Sequence, residues 1–195
     1  LESHTPKNTP IEHIHKYYKP FSAIENNQYD GFIVTGAPVE LYPFEEVSYW
    51  TELEGIFDWA RKNVTSSLYI CWGAQAALHH FHGVPKHELD NKLFGIYPHI
   101  VSDTSFPLFR GFDDVFYVPH SRHTTILRED ISKHPELTIL SETDDAGIYL
   151  IADTSRNEFF ITGHSEYAPM ALHKEYMRDM KKGLNTVKTP YNYYP

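Results

Sequence analysis

The sequence predicts an α/β protein of three layers, with a mostly parallel sheet, helices on both of its faces and a mixed or antiparallel extension. Two observations support this fold class. In the first half, short and fully apolar strands alternate with segments of helical periodicity, which is typical of a parallel sheet buried on both faces. In the second half, four strand-like runs follow one another with only turns between them, which is typical of an antiparallel or mixed sheet.

The first half is expected to hold two strands and two main helices behind a covering loop. Prolines among residues 3–20 predict that loop, with one short helix. Apolar residues recur at helical spacing over 45–62, and two cations close this segment, where they suit the negative end of a helix dipole. The other elements are a buried strand at 32–34 ending in a turn at 36–38, a strand at 66–71 and a helix from about 73 to 82.

The second half is expected to add four strands and one helix. The strand-like runs are "DDVFYVPHSRHTT", "LTILSET", "GIYLIAD" and "NEFFITGH". The final helix lies in "PMALHKEYMRDMKKGL", with Pro169 in its first turn and Gly183 at its end. Because no repeat, low-complexity tract or linker divides the chain, residues 1–195 are expected to form a single domain.

The composition is that of an acidic, globular protein. A net charge of -9, with 41% apolar and 15% aromatic residues, argues against partners such as nucleic acid or an anionic membrane surface. Apolar runs are far shorter than the roughly 20 residues that span a bilayer. A single cysteine cannot form an internal disulfide, so a cytoplasmic location is expected.

Cys71 stands where an apolar strand turns into a helix, in "SSLYICWGAQAALHH". Such a turn holds a side chain at the carboxyl edge of a sheet, and the positive end of the helix favours thiolate over thiol. The backbone N–H of Trp72 could then stabilise a tetrahedral oxyanion, and Gly73 would leave room for an approaching substrate. The alternative is that Cys71 is a small buried hydrophobe.

A cysteine nucleophile needs a base, and the base needs an orienting group. His164 and Glu166 follow the apolar run in "FFITGHSEYAP", so both predicted strands would deliver their chemistry to one sheet edge. The His-x-Glu spacing is weak by itself, because 13 histidines make chance pairs common and an ordinary surface turn is the alternative. Together the residues predict a Cys-His-Glu triad.

Several stretches carry a resemblance to a known family. "CWGAQ" resembles the C-x-G-x-Q nucleophile turn of class I glutamine amidotransferases. Over nearly the whole chain, the sequence resembles the homoserine O-acyltransferases of methionine biosynthesis, which comprise homoserine O-succinyltransferase and homoserine O-acetyltransferase. The matching motifs are "YDGFIVTGAPVE", "LYICWGAQAALHHFHGVPKH", "FDDVFYVPHSRHT", "FITGHSEYAP" and "PYNYYP".

The resemblance implies a class I glutamine amidotransferase-like (flavodoxin-like) fold and an acyl transfer in two steps. Acyl-CoA would acylate Cys71, and the γ-hydroxyl of L-homoserine would then attack the thioester with His164 as base. It also implies substrate contacts by Lys92, Ser121 and Arg178. From composition alone, Lys92 is a loop lysine and Arg178 a helix-surface charge, although a guanidinium suits an amino-acid carboxylate.

Glu40 decides the acyl donor in this interpretation. The resemblance implies that Gly at this position accompanies succinyl transfer and Glu accompanies acetyl transfer. A glutamate would repel the terminal carboxylate of succinyl-CoA, so acetyl-CoA is the expected co-substrate, and no permanently bound cofactor is expected. If Glu40 is instead a solvated loop acid, the sequence does not determine which acyl-CoA is the donor.

Two other functions stay open at this stage. One is a glutamine amidotransferase or related hydrolase with the same triad, and the other is a catalytically silent binding domain. Family members carry a further N-terminal segment and a C-terminal tail that this sequence lacks, and opening on Leu1 rather than Met is expected of an internal piece.

Some features have no assigned role. No metal site is expected, because "HHFH" at 79–82 is typical of a helix end. His120 and His123 flank Ser121 and are candidates to line the pocket. The terminal tyrosines Tyr191, Tyr193 and Tyr194 suit a homodimer contact, core packing or an exposed tail equally well.

Overall fold

The computed structural model describes residues 1–4, 9–183 and 188–195, and a seven-stranded sheet organises them. The strands lie in the order β1-β2-β7-β6-β5-β3-β4. Residues 5–8 of the predicted covering loop and residue 184 of the last predicted helix lie outside the described residues. The strands are β1 (Tyr29–Val34), β2 (Val64–Ile70), β3 (His87–Val101), β4 (Val115–Thr125), β5 (Leu137–Thr143), β6 (Gly147–Asp153) and β7 (Glu158–Ile161). The α-helices are α1 (Ile11–Tyr17), α2 (Trp50–Asn63), α3 (Trp72–His82), α4 (Arg128–Ile131) and α5 (Ala171–Lys181).

The sheet is mixed, with its parallel part at one side. β1 pairs with β2, and β2 with β7, in parallel, whereas the other neighbouring strands are antiparallel. This confirms the α/β class and the mixed extension, which makes up more of the sheet than the sequence indicates. The run "NEFFITGH" forms β7, which joins the two parts because it is parallel to β2 and antiparallel to β6.

The ends of β2 and β7 position the site. Ile70 pairs with Ile161, so the two parallel strands end side by side. The backbone N–H of Cys71 continues this pairing and donates to the carbonyl oxygen of Ile161 at 2.7 Å. Residues that follow these strands therefore share one carboxyl edge, as expected for parallel neighbours.

β3 is the main element that the sequence did not predict. It is a 15-residue strand that pairs with β4, and its register shifts between Glu88 and Leu93. Polar residues at this shift interrupt the apolar alternation by which strands are recognised. Lys92 therefore lies on a strand rather than in the loop that its composition suggested.

Two helices cover one face of the sheet. Leu53 and Phe57 of α2 and Ala77 and Leu78 of α3 are buried in a core with Phe160 of β7. Helix α2 begins later than predicted because the extended backbone at residue 47, with φ −73° and ψ 120°, separates it from a short 3-10 turn at Phe44–Glu46. Helix α5 also begins after Pro169, at Ala171.

On the opposite face, the core is completed by the long hairpin of β3 and β4, which are themselves the last two strands of the same sheet. Val101 and Val118, from β3 and β4, share a second core with Phe109, Ile70 and Ile161. In this part of the sheet the hairpin provides the cover that a helix layer would otherwise give. Among the described residues, we find no helix of sufficient length and apolar character to cross a membrane.

The C-terminal residues pack on the chain's own hairpin. The Tyr191 N–H donates to the Phe94 oxygen at 2.9 Å, and the Ile96 N–H donates to the Tyr191 oxygen at 2.8 Å. The Tyr191 ring stacks on Tyr97 with centroids 5.0 Å apart. Tyr191 is therefore held against the hairpin, yet it is 54% exposed and does not belong to the core. The homodimer contact stays a prediction.

Candidate functional site

Cys71 occupies a strained turn between β2 and α3. Its backbone has φ 53° and ψ −118°, in a region that side chains other than glycine rarely adopt. Such strain is typical of a nucleophile elbow, which presents the side chain at the edge of the sheet. Trp72 is the first residue of α3, so its N–H is one of the amides that have no acceptor within the helix. This arrangement suits the predicted oxyanion donor.

Two glycines let the chain pass close to this turn. A Cβ at Gly73 would lie 2.9 Å from the carbonyl oxygens of Val34 and Thr35, so this glycine allows α3 to approach the end of β1. The structure thus gives a different reason for Gly73 from the predicted access for substrate. A Cβ at Gly36 would lie 3.2 Å from the Cys71 Cβ, which shows that the loop after β1 passes close to Cys71.

His164 is held on three sides. Its Nδ1 lies 2.7 Å from the Glu166 Oε1, and its backbone N–H donates to the Pro119 oxygen at 2.8 Å. Its ring stacks on Tyr167, with centroids 4.2 Å apart and planes 21° apart. The side chain is only 9% exposed. The carboxylate on Nδ1 leaves Nε2 as the nitrogen available for chemistry.

The charges of the neighbours decide the protonation of this histidine. Burial lowers the pKa of His164, but hydrogen bonds to Cys71 and Glu166 and the charges of both outweigh it, and they raise the pKa to about 10. Burial raises the pKa of Glu166, but the hydrogen bond from His164 reverses that effect and leaves it below its ordinary value. His164 is therefore favoured as the imidazolium and Glu166 as the carboxylate.

A cavity of about 740 Å³ brings most of the predicted site together. It is open to solvent and has both polar and apolar walls. The predicted site residues that line it are Glu40, Cys71, Lys92, Ser121, His164, Glu166 and Arg178. Trp72 is 2% exposed and belongs to the core behind the cavity, so its contribution there is its backbone N–H.

Two carboxylates of α5 organise the predicted substrate contacts. Glu175 accepts a hydrogen bond from the Ser121 Oγ at 2.6 Å and lies 3.5 Å from the Lys92 Nζ. Asp179 lies 3.3 Å from the Lys92 Nζ and accepts from the Arg178 Nε at 2.7 Å. All three predicted substrate residues are thus tied to this pair.

The sequence analysis missed both carboxylates and Tyr167. Glu175 and Asp179 are four positions apart, and helical spacing places them on one face together with Arg178. This pattern was a usable signal. Tyr167 gave no signal in the sequence. Its hydroxyl donates to Glu175, and this contact depends on how the chain turns after His164.

Glu40 is fixed at the wall of the cavity. Its Oε2 accepts from the backbone N–H of His123 at 2.8 Å and from the Thr124 Oγ1 at 3.3 Å. The side chain of Lys86 donates to the Glu40 backbone oxygen at 2.5 Å. The residue is therefore not a freely solvated loop acid.

The two histidines beside Ser121 have different positions. His123 lines the cavity, whereas His120 is fully buried behind it. Arg122, 1% exposed, donates from Nε to the His120 Nδ1 at 3.4 Å, and the His120 Nε2 lies 2.8 Å from the Nε2 of His99. Since a guanidinium only donates, His120 must accept at Nδ1 and donate through Nε2. Burial and the charge of Arg122 lower the pKa of His120 and hold it neutral.

Comparisons with known proteins show which family and fold this chain resembles. The family model described as homoserine O-succinyltransferase matches residues 1–195. A homoserine O-acetyltransferase of Parabacteroides distasonis is 60% identical over 194 residues, which are 100% of this chain and 62% of that protein. A protein of the same name from Thermotoga neapolitana is 55% identical over 100% of this chain and 63% of its own length. The chain thus spans less than two thirds of the curated relatives it matches.

Solved structures share the fold at low identity. A glutamine amidotransferase from Thermotoga maritima superposes with a TM-score of 0.62 at 16% identity, covering 78% of this chain and 63% of its own. A Trypanosoma brucei CTPS glutaminase domain with bound acivicin gives a TM-score of 0.57 at 15% identity, covering 86% and 75%. These likenesses confirm the predicted class I glutamine amidotransferase-like fold.

Proposed function

Because the chain belongs to the homoserine O-succinyltransferase family, we propose that it transfers an acetyl group from acetyl-CoA to the γ-hydroxyl of L-homoserine. The product would be O-acetyl-L-homoserine, an intermediate for methionine biosynthesis. The observation that carries this proposal is the cavity that holds Cys71 beside the hydrogen-bonded pair of His164 and Glu166. We propose that the protein acts on these two small molecules as a soluble enzyme of the cytoplasm.

The first half of the reaction uses a charge-separated triad, with Cys71 as the thiolate, His164 as the imidazolium and Glu166 as the carboxylate. The Cys71 thiolate attacks the acetyl carbonyl, and the Trp72 N–H stabilises the oxyanion of the tetrahedral intermediate. The intermediate then collapses with cleavage of the carbon–sulfur bond to CoA. The CoA thiolate takes the proton from His164 as it leaves. The products are the Cys71 thioester, free CoA and a neutral imidazole.

The second half reverses the roles of the same groups. Acylation removes the thiolate charge that holds the pKa of His164 high, so the neutral imidazole becomes a competent base. It takes the proton of the homoserine hydroxyl while that oxygen attacks the thioester. Expulsion of the Cys71 thiolate restores the starting charges, and every proton is accounted for.

The groups around α5 suit a zwitterionic amino acid. Arg178, whose side chain is 54% exposed, can hold the homoserine carboxylate by two parallel hydrogen bonds. Glu175 and Asp179 supply carboxylates for the ammonium group. Lys92 and Ser121 keep these acids in place, which orients the γ-hydroxyl against the thioester in preference to water.

Glu40 supports acetyl over succinyl as the transferred group. Its carboxylate is held at the cavity wall by the His123 N–H, so its negative charge cannot easily turn away from an acyl group bound there. A terminal carboxylate on the donor would be repelled. The donor preference of the chain is therefore expected to follow this residue.

The experiment is an acetyl-enzyme assay with labelled acetyl-CoA. We expect a hydroxylamine-sensitive label on Cys71 that homoserine releases as O-acetylhomoserine, and no label in Cys71→Ala. Loss of the label to water with no transfer to homoserine, together with hydrolysis of glutamine, would instead favour an amidotransferase-type hydrolase. Full acetyl transfer by Cys71→Ala would overturn the mechanism.

A further inference from the structure

A second cluster of ligand-type side chains lies away from the cavity, at the C-terminal end of α3. It comprises His82, His134 and Glu136, none of which lines the cavity. The His82 Nδ1 lies 2.9 Å from the Glu136 Oε1, and the His134 Nδ1 lies 3.7 Å from the same oxygen. One ligand atom from each residue lies within 4.8 Å of the other two.

These separations suit a tetrahedral ion. Zinc binds histidine nitrogen and carboxylate oxygen at about 2.0–2.1 Å, so the ligand atoms of a tetrahedral site lie about 3.3 Å apart. The two nitrogen–oxygen distances, 2.9 and 3.7 Å, lie on either side of this value. Two imidazoles and one carboxylate are also a donor set that zinc prefers, and they leave one position for water.

The other ring nitrogen of His82 supplies an independent observation. The His82 side chain is only 5% exposed, and its Nε2 is buried with no hydrogen-bond partner among the described residues. The imidazole also lies within 4.8 Å of carboxylate oxygens of Asp153 and Glu158. A histidine that binds metal through one nitrogen usually directs the N–H of the other towards a carboxylate. Asp153 and Glu158 are two carboxylates near this ring, although neither is hydrogen-bonded to Nε2 among the described residues.

The charges around the cluster permit a cation. Arg61 is a positive group close enough to act on His82. Both of its hydrogen bonds to Glu158 are 2.8 Å long, so its charge is already matched. Asp153 and Glu136 remain as negative groups that face His82. A divalent ion would therefore enter a region of net negative charge.

We propose that His82, His134 and Glu136 form a binding site for a Zn²⁺ ion, with water in the fourth position. The ion would join the end of α3 to the segment that leads into β5, because His134 and Glu136 directly precede Leu137. Since α3 carries the Cys71 turn at its other end, the ion would stabilise the helix that bears the nucleophile. The alternative is a simple histidine–carboxylate contact that binds no metal.

The test is a Zn²⁺ titration by calorimetry in a Cys71→Ala background, which removes the thiolate as a competing ligand. We expect one equivalent to bind and to raise the melting temperature. His134→Ala and Glu136→Gln should each weaken binding at least about tenfold, because each removes one of three protein ligands. Both side chains are partly exposed, at 25% and 40%, so these variants should fold.

The matched control replaces another histidine that is paired with a carboxylate. His87 pairs with Asp130 at 2.7 Å and is 39% exposed, so His87→Ala should leave zinc affinity unchanged. Co²⁺ provides a second measurement, since a tetrahedral site gives an intense visible spectrum that His134→Ala should abolish. The proposal is wrong if no equivalent binds, or if His134→Ala binds zinc as tightly as its parent.

Discussion

At the residue scale, the protonation of His164 depends on Cys71. The hydrogen bond and the charge of the thiolate are among the causes that raise the pKa of His164 from 6.5 to about 10. We therefore expect Cys71→Ala to lower that pKa, as measured by NMR titration of the imidazole. Glu166→Gln should lower it as well, because it removes the second anionic neighbour.

The raised pKa of His164 also makes the free energy of unfolding depend on pH. Because the folded-state pKa of His164 lies above 6.5, its protonation contributes stability that is complete below about pH 6.5 and is lost as pH rises through about 10. The difference in free energy of unfolding between the native sequence and Cys71→Ala should therefore shrink over this range. An imidazole pKa unchanged by both substitutions would contradict the charge-separated triad.

Glu40 can be tested for charge and size separately. We expect Glu40→Gly to move kcat/KM towards succinyl-CoA relative to acetyl-CoA by at least about tenfold, which corresponds to roughly 1.4 kcal/mol. Glu40→Gln keeps the shape and can still accept from the His123 N–H, so it isolates the charge. If Glu40→Gln shows the preference of the native sequence, steric exclusion rather than repulsion selects the donor.

The sequence was sufficient to place residues whose position follows from local geometry. Cys71, Trp72, His164 and Glu166 were predicted from strand ends and a strand–helix turn, and the structure brings them to one edge; their catalytic roles stay predictions. Lys92, Ser121, Arg178 and Glu40 came only from the family resemblance. The ligands of the proposed zinc site join distant parts of the chain, and no local spacing indicated them.

At the element scale, the contact of α3 with β1 depends on Gly73. A Cβ there would lie 2.9 Å from two backbone carbonyl oxygens, which cannot move without displacing the strand. Gly73→Ala should reduce the free energy of unfolding by about 1–3 kcal/mol, as measured by chemical denaturation.

The control for this change lies in the middle of α2. Gly55 has no atom within 4 Å of the position of an added Cβ. Gly55→Ala should therefore increase stability by up to about 1 kcal/mol, because alanine is the better helix former. If the two substitutions had equal effects, the packing explanation for Gly73 would fail.

Elements with an uninterrupted pattern were predicted well, and those shaped by tertiary pairing were not. The strands β2, β5 and β6 and the helix α3 follow from apolar runs with clear ends. β3 was missed because its register shift and polar residues hide the alternation, and the pairing with β4 compensates for them only in the folded chain. For the same reason the size of the antiparallel part could not be read from local patterns.

At the scale of the whole molecule, the C-terminal residues close over the hairpin. Gly95 has φ 143°, and a Cβ there would lie 2.3 Å from the Tyr191 backbone nitrogen. Gly95→Ala should displace this segment, and hydrogen exchange should then show lost protection at the amides of Ile96 and Tyr191. Gly31→Ala is the matched strand control, since nothing lies within 4 Å of its added Cβ. Unchanged protection in Gly95→Ala would show that the segment docks by other contacts.

Buried hydrogen bonds link Arg122 to His120 and His120 to His99, and their direction has a consequence for His164. Its hydrogen bonds all point one way, because the guanidinium can only give protons and each imidazole must accept from the group before it. Burial also lowers the pKa of His99 to about 4, so neither ring readily takes up a proton near neutral pH. The described groups directly behind His164 thus offer no ring that readily carries a proton. Under the proposed function, we expect His164 to exchange its proton by way of the cavity, so that a substrate filling the cavity would slow that exchange with water.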